Sequence, residues 1–243
     1  MLDPIDPWFV SVQDMIRADF SWIESADREN ALNLLSNVEQ NPHWSNAKRH
    51  TTVESLQDEL LSDWRPIVVL GAAAEVEDLE PLIGAEPHIV AADGSIGILD
   101  EIEGDLWGDV KLVVSDGDGW PHLQLALDKQ LPMALHAHGD NVKELERMLE
   151  LFDEEKPYEL FLTHQTSEVI EGMYNPGGFT DGDRAICLLL AIGVQIERLI
   201  LVGYDPHLIG RWSGVFDENV KRRKLGWMAK ILDRLGFGNG DDW

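Results

Sequence analysis

The chain has 243 residues, 45 Asp and Glu against 19 Lys and Arg, and a formal charge of −26. That length suits one α/β domain with a small additional segment. The charge excludes the basic face expected of nucleic-acid or anionic-membrane binders, and any polyanionic ligand must be met by metal ions and a few local cations. A saline cytoplasm or ordinary acidic solubility would account for it equally. The single Cys187 lies in an apolar stretch and reads as packing, with no disulfide framework. With no signal peptide and no apolar run of spanning length, the chain reads as soluble and cytoplasmic.

Residues 1–65 read as a helical N-terminal segment. Apolar residues from Trp8 to Ile23 recur at helical spacing, a second helix is predicted over Ala26–Val38, and a third over Thr52–Leu61 after a turn at Asn41–Trp44. The tryptophans of this segment read as core. From residue 66 to 243 the rhythm is that of an α/β catalytic domain ending in a basic helix. Apolar strands are predicted at Ile67–Gly71, His88–Ala92, Lys111–Val114, Met133–Ala137, Tyr158–Leu162 and Arg198–Val202. Helical patterns fill Val142–Phe152 and Ala185–Ala191, and a last helix runs over Asp217–Leu235 before an acidic end from Gly236. Near-continuous apolar strands alternating with helices indicate a mostly parallel sheet covered on both faces.

The polar residues fall at the carboxyl ends of those strands, where open α/β sheets place their ligand crevice. Asp93-Gly94-Ser95, Asp116-Gly117-Asp118-Gly119, His136-Ala137-His138-Gly139-Asp140-Asn141, Thr163-His164 and Gly203-Tyr204-Asp205 are the strings. Asp116 and Asp118, two apart on an extended segment, can point the same way and present hard oxygen ligands suited to Mg2+; ordinary turn chemistry competes. His136 and His138 share a strand face, and metal ligation, phosphate or proton contact, and turn hydrogen bonding all remain open for them. Asn175–Ala185 packs Gly177, Gly178, Thr180, Asp181, Gly182, Asp183 and Arg184 into a turn entering an apolar helix. Glycines and a helix N-terminus suit an anion, and the two carboxylates require a phosphate arriving there to bring a divalent cation. There is no Walker A string and no dinucleotide fingerprint after the first strand. Arg184, Arg211 and the run Lys221-Arg222-Arg223-Lys224 are the basic residues available to phosphate.

Taken in order, Ala-Ala-Asp93-Gly, Asp-x-Asp118-Gly, His-Ala-His138-Gly-Asp140-Asn141, Gly-Gly-Phe179-Thr-Asp-Gly-Asp183-Arg-Ala, Gly203-Tyr-Asp205 and Lys221…Lys224-Leu resemble the archaeal 6-hydroxymethyl-7,8-dihydropterin pyrophosphokinases, more distantly similar to thiamine pyrophosphokinases. The resemblance covers about Ile67 to Leu225. It implies a Rossmann-like, thiamine pyrophosphokinase-like fold and Mg2+-dependent transfer of a pyrophosphoryl group from ATP to the pterin hydroxymethyl oxygen, with AMP released, in folate or methanopterin biosynthesis. On that resemblance Asp116, Asp118 and Asp140 hold Mg2+, with Asp93 and Asp183 as further candidates. Arg184 and Lys224 stabilise the transferring group, and His136 or His138 contacts phosphate or takes the hydroxyl proton. Asp93, Gly94, Asn141, Gly178, Thr180, Asp181, Asp183, Asp205 and Lys221 contact the substrates. The implied partners are ATP and a reduced pterin alcohol, with no nucleic acid and no membrane, and homo-oligomerisation is compatible with this. Two departures stand out: Ala72-Ala73-Ala74 replaces a Gly-Pro-Ser-type turn, which puts ligand contact by that loop in question, and Gly117 sits where the family has Leu. Two rival readings are a metal-dependent hydrolase of amidohydrolase type, built on His136, His138, His164 and Asp205, and a non-catalytic nucleotide-binding module.

Overall fold

Six short aliphatic runs hydrogen-bond into one parallel sheet. They are β1 (Ile67–Leu70), β2 (His88–Ala92), β3 (Val110–Ser115), β4 (Met133–Ala137), β5 (Leu160–His164) and β6 (Leu199–Val202), in the order β5-β4-β3-β2-β1-β6. The computed structural model describes residues 2–152, 158–214 and 217–238. Along each strand the side chains alternate between two cores. Val68, Leu70, Ile89, Ala91, Val113 and Leu135 enter one, and Ile67, Val69, Val90, Leu112, Val114 and Ala134 enter the other. Because both faces are buried, the strands read as continuous apolar runs and not as an alternation.

Helices close both faces. The first core is completed by α2 (Glu24–Glu39), α5 (Leu123–Asp128), α6 (Val142–Leu151) and a 3-10 stretch at Asp93–Asp100, through Leu34, Ala126, Met148 and Ile98. The second is completed by α1 (Trp8–Phe20), α3 (Asn46–Leu61), α7 (Asp181–Ile192) and α8 (Glu218–Leu235), through Ile16, Leu56, Leu189 and Ile231. A short α4 (Val76–Leu79) follows β1. The α/β class, the parallel sheet covered on both sides and the helical N-terminal segment hold as read from the sequence.

Several boundaries move. β5 starts at Leu160 and takes in Thr163 and His164, which pair with His136 and Ala137 of β4. α7 starts at Asp181, ahead of the expected Ala185. Asp183 accepts the Thr180 N–H at 3.2 Å and its hydroxyl at 2.8 Å, a cap that outweighs the helix penalty of Gly182. α8 begins after Asp217, whose side chain accepts from the Asn219 and Val220 N–H groups, and ends at Gly236. The last five positions of the expected acidic end lie outside the described residues. The N-terminal tryptophans do not all go to the core: Trp44 is buried, Trp64 is 73% exposed and Trp22 reaches a cleft. Among the described residues no helix is long and apolar enough to cross a membrane.

Strands β1 to β5 advance in one direction, and the chain then returns to lay β6 on the other side of β1. The topological switch therefore lies between β1 and β6, and the carboxyl ends of all six strands open on one edge. α1 and α2 are tied to that edge by polar contacts. Asp27, 3% exposed, accepts from Arg17 at 3.0 Å, from the Gly139 N–H at 2.7 Å and from the Gln165 amide at 3.0 Å. Arg17 also donates to the Gln165 carbonyl at 2.8 Å, and Gln13 donates to the Gly178 carbonyl at 2.9 Å. Asp27→Ala leaves the Gly139 N–H and the Gln165 amide without their acceptor, and leaves Arg17 with only the more exposed Asp14 and Glu24 as carboxylate partners; it should cost about 2 kcal/mol of unfolding free energy, measured by urea denaturation. A loss below about 1 kcal/mol would mean that the pair carries no more than a surface ion pair.

Candidate active site

Four carboxylates converge where β2, β3 and α7 meet. β2 ends at Asp93, which takes a left-handed backbone conformation with φ of 50°, uncommon for a non-glycine residue and concentrated at functional sites. The turn after β3 supplies Asp116 and Asp118, and the first turn of α7 supplies Asp181. Asp93, Asp116 and Asp118 each offer an oxygen within 4.8 Å of the others, a spacing that fits one shared cation. Gly119 makes this approach possible, since a β-carbon there would stand 2.2 Å from Asp93 Oδ2.

Three of the four carboxylates are held by a neighbour. Ser115 Oγ donates to Asp93 at 2.6 Å and accepts the Gly117 N–H at 2.9 Å. Arg184 donates to Asp181 at 2.6 Å and to the Phe179 carbonyl at 2.5 Å. His138 faces Asp116 through Nε2 at 3.1 Å and Asp140 through Nδ1 at 2.7 Å.

The electrostatics follow from this crowding. Burial, then the charges of Asp116, Asp181 and Asp118, push Asp93 well above the usual carboxylate range. Asp118 is the most exposed of the three, yet desolvation by the cleft walls and the Asp116 charge push it up to about 6. Asp181 is pushed up to about 7 by burial and by Asp116. Burial also works to raise Asp116, but the His138 hydrogen bond and charge outweigh it and hold this carboxyl low. His138 is the converse: burial lowers it, while Asp116 and Asp140 on its two nitrogens hold it at about 9. At neutral pH His138 is a cation, and three acids crowd around one that stays ionised.

A cleft open to solvent runs along this edge. Asp93, Asp116, Asp118, His138, Thr180, Asp181, Asp205, Lys221 and Lys224 line it, as do Gly71, Ala72 and Ala73, so the alanine-bearing loop does face the site. The remaining sequence candidates take other places. His136 is 1% exposed and bonded to Thr163 at 2.9 Å; burial, with Arg184 next in effect, pushes it well below the ordinary imidazole range. Of the two histidines only His138 reaches the cleft, because His136 lies within β4 and His138 beyond it. Asp140 lies outside the three-carboxylate group: its side chain is 83% exposed and pairs with the His138 nitrogen remote from Asp116. Asn141 is buried and acts as a brace, donating to the Asp116 carbonyl at 2.7 Å and the His136 carbonyl at 2.8 Å. Asp183 is fully buried as the α7 cap, and Arg184, 2% exposed, stands behind Asp181. Gly94 packs against Gly119 and Trp212, and Gly178, with φ of 85°, makes the turn into α7. In the basic run, helical spacing puts Lys221 and Lys224 on the cleft, while Arg222 pairs with Glu218 and Arg223 with Asp19. Arg211 pairs with Glu75 and Glu101.

Sequence reasoning missed Trp22, Gln165, Tyr204 and Met228, all of which line the cleft. Gln165 and Tyr204 follow strand ends and were findable by the same rule as the acids. Trp22 was not, since nothing in its local sequence places the α1–α2 turn over the sheet edge. The hydrolase constellation does not assemble: Asp205 follows β6, His136 and His164 lie buried in β4 and β5 toward the other end of the sheet, and among the described residues the group with metal-ligand spacing is Asp93, Asp116 and Asp118.

No protein-family model matches the chain. Among curated proteins it is similar to three archaeal ones, each named 6-hydroxymethyl-7,8-dihydropterin pyrophosphokinase. Identity is 37% over 153 residues to that of Pyrococcus furiosus, covering 60% of this chain and 61% of the relative. It is 33% over 164 residues to that of Methanothermobacter thermautotrophicus, covering 63% and 64%. It is 27% over 237 residues to that of Methanocaldococcus jannaschii, covering 90% and 91%. The match spans less than two thirds of the first two relatives' length.

The raised acids set a pH dependence. Their folded values lie above the unfolded ones, so they lower stability as pH rises through about 4 to 7, and a divalent cation that keeps them ionised offsets this. The rise in melting midpoint given by Mn2+ should be several-fold larger at about pH 8 than at about pH 5.5. Equal shifts at both pH values would contradict a cation bound by these carboxylates.

Proposed function

We propose that this chain, which resembles the archaeal 6-hydroxymethyl-7,8-dihydropterin pyrophosphokinases, transfers the terminal pyrophosphoryl group of ATP to the hydroxymethyl oxygen of a reduced pterin and releases AMP. The observation that carries this reading is the convergence of Asp93, Asp116 and Asp118 at one point of the cleft, with Lys221 and Lys224 on its wall. Such a site grips a metal polyphosphate without a Walker A lysine.

The donor set fits Mg2+: three carboxylate oxygens within 4.8 Å of one another, two of the groups held above their usual range by desolvation and then by the neighbouring carboxylates. When bound, the ion supplies neutralisation of phosphate charge. The chain's own residues do the rest. Lys221 and Lys224 bind phosphate oxygens from α8. His138, doubly hydrogen-bonded to carboxylates, holds Asp116 in place and adds a fixed positive charge, which makes it unsuited to act as a base. Asp181, raised to about 7 and lining the cleft, is the group suited to take the acceptor's hydroxyl proton. Arg184 orients Asp181 from behind, at 2.6 Å. Thr180 and the start of α7 present a helix N-terminus to phosphate. We assign residues 66–243 to the catalytic unit and residues 1–65 to a helical segment that buttresses its β4 and β5 loops. The same reading places the protein in the cytoplasm, on folate or methanopterin biosynthesis.

The test is product analysis with ATP, Mg2+ and, separately, the reduced pterin alcohol, thiamine or no acceptor. AMP and a pyrophosphorylated pterin are expected with the pterin alone. ADP would mean attack at the γ-phosphorus, AMP with thiamine alone would change the acceptor, and ATP binding without turnover of any acceptor would leave a nucleotide-binding module. Asp118→Asn should lower kcat/KM by about two orders of magnitude and shift the Mg2+ requirement upward. An unchanged Mg2+ titration in that variant would remove Asp118 from the site.

A further inference from the structure

The cleft has two dissimilar halves on either side of the carboxylates. At the β1 and β6 end it is walled by main chain and small residues, Gly71, Ala72, Ala73 and Gly203, at the switch point of the sheet. At the β4 and β5 end it is walled by His138, Gln165 and, reaching over from the α1–α2 turn, Trp22. Of the four Trp, Phe and Tyr residues that the described chain places along the cleft, Trp22 is the most exposed, at 36%. Phe179 and Trp212 are 7% and 4% exposed, and Tyr204 is half-buried with its hydroxyl donating to the Gly182 carbonyl.

The Trp22 ring is built into place. It stacks on Phe20 with centroids 4.5 Å apart and an interplanar angle of 19°, and Phe179 lies 6.0 Å away. Lys224 Nζ is 5.7 Å from the ring centroid and is also close enough to act on the charges of Asp116 and Asp118. Gln165, also on the cleft, has its carboxamide fixed by Asp27 at 3.0 Å. A partly exposed indole, an oriented amide and a cation near both the ring and the acids together suit a flat, hydrogen-bonding heterocycle that carries a short hydroxyl arm.

We propose that Trp22 is the binding platform for the ring of the pyrophosphoryl acceptor, with the nucleotide occupying the β1 and β6 half of the cleft. This rests on the function proposed above, and it makes the N-terminal helical segment part of the substrate site.

The experiment compares wild type, Trp22→Phe and Trp22→Ala, each first checked for an unchanged melting midpoint. Steady-state KM for the pterin alcohol and for ATP is measured alongside equilibrium binding of oxidised 6-hydroxymethylpterin and of a non-hydrolysable ATP analogue with Mg2+. Trp22→Ala should raise the pterin KM and dissociation constant by about tenfold or more while the ATP values stay within about twofold; Trp22→Phe should recover most of the loss. If Trp22→Ala destabilises the fold, the Phe variant and the ratio of the two ligands' affinities decide. Weakened ATP analogue binding with unchanged pterin binding would put the nucleotide base on Trp22 and overturn the assignment, as would no change for either ligand. Wild type that binds the ATP analogue but no pterin would overturn the proposed acceptor as well.

Discussion

Repulsion among crowded carboxylates is the constraint that organises this protein. Asp93, Asp116 and Asp118 are brought within one cation's reach, with Asp181 close enough to raise Asp93 further. Left alone, like charges at such distances in a recess cost several kcal/mol. The structure answers locally. Ser115 hydrogen-bonds Asp93, Arg184 holds Asp181, and His138 takes up a proton against Asp116. None of these removes the desolvation or the crowding, which together push Asp118 up to about 6 and Asp181 up to about 7.

The rest of the fold can be understood as the means of holding that crowding in place. A parallel sheet with both faces buried fixes its strand ends rigidly and brings them to one edge. The glycine at 119 lets two acidic loops touch. The N-terminal helices add no carboxylate to the site, but Asp27 and Arg17 tie down the Gly139 and Gln165 backbones, and Gln13 ties down Gly178. Each tie restrains a loop adjacent to a cleft residue. The segment is thus coupled to the site through hydrogen bonds, and through Trp22 by direct exposure to the cleft.

Much of this was legible in the sequence, for physical reasons that also explain what was not. Doubly buried strands announce themselves as apolar runs, and the strand-end rule then located Asp93, Asp116, Asp118, His138 and Asp205 on the cleft. What the rule cannot supply is distance. Asp140 follows the same strand end as His138, yet it sits on the far nitrogen of that ring, and Asp93 closes the acidic group instead. Arg184 appeared to be a phosphate ligand because the Asn175–Ala185 glycines read as a loop. Capping by Asp183 makes its first acids the start of a helix, and Arg184 then points inward. Parity separates His136 from His138 no better, because both share a face and only chain end decides which is free. Trp22 depends on tertiary contact between the α1–α2 turn and α8, which no local pattern encodes.

The central claim is that the three carboxylates form a cation site completed by the nucleotide. Electron paramagnetic resonance of free Mn2+ tests it most directly, titrating the protein with and without a non-hydrolysable ATP analogue. The account predicts saturable Mn2+ binding that tightens by about tenfold or more with the analogue and is lost in both Asp116→Asn and Asp118→Asn. Mn2+ binding that is indifferent to the analogue, or that survives both substitutions, would contradict it.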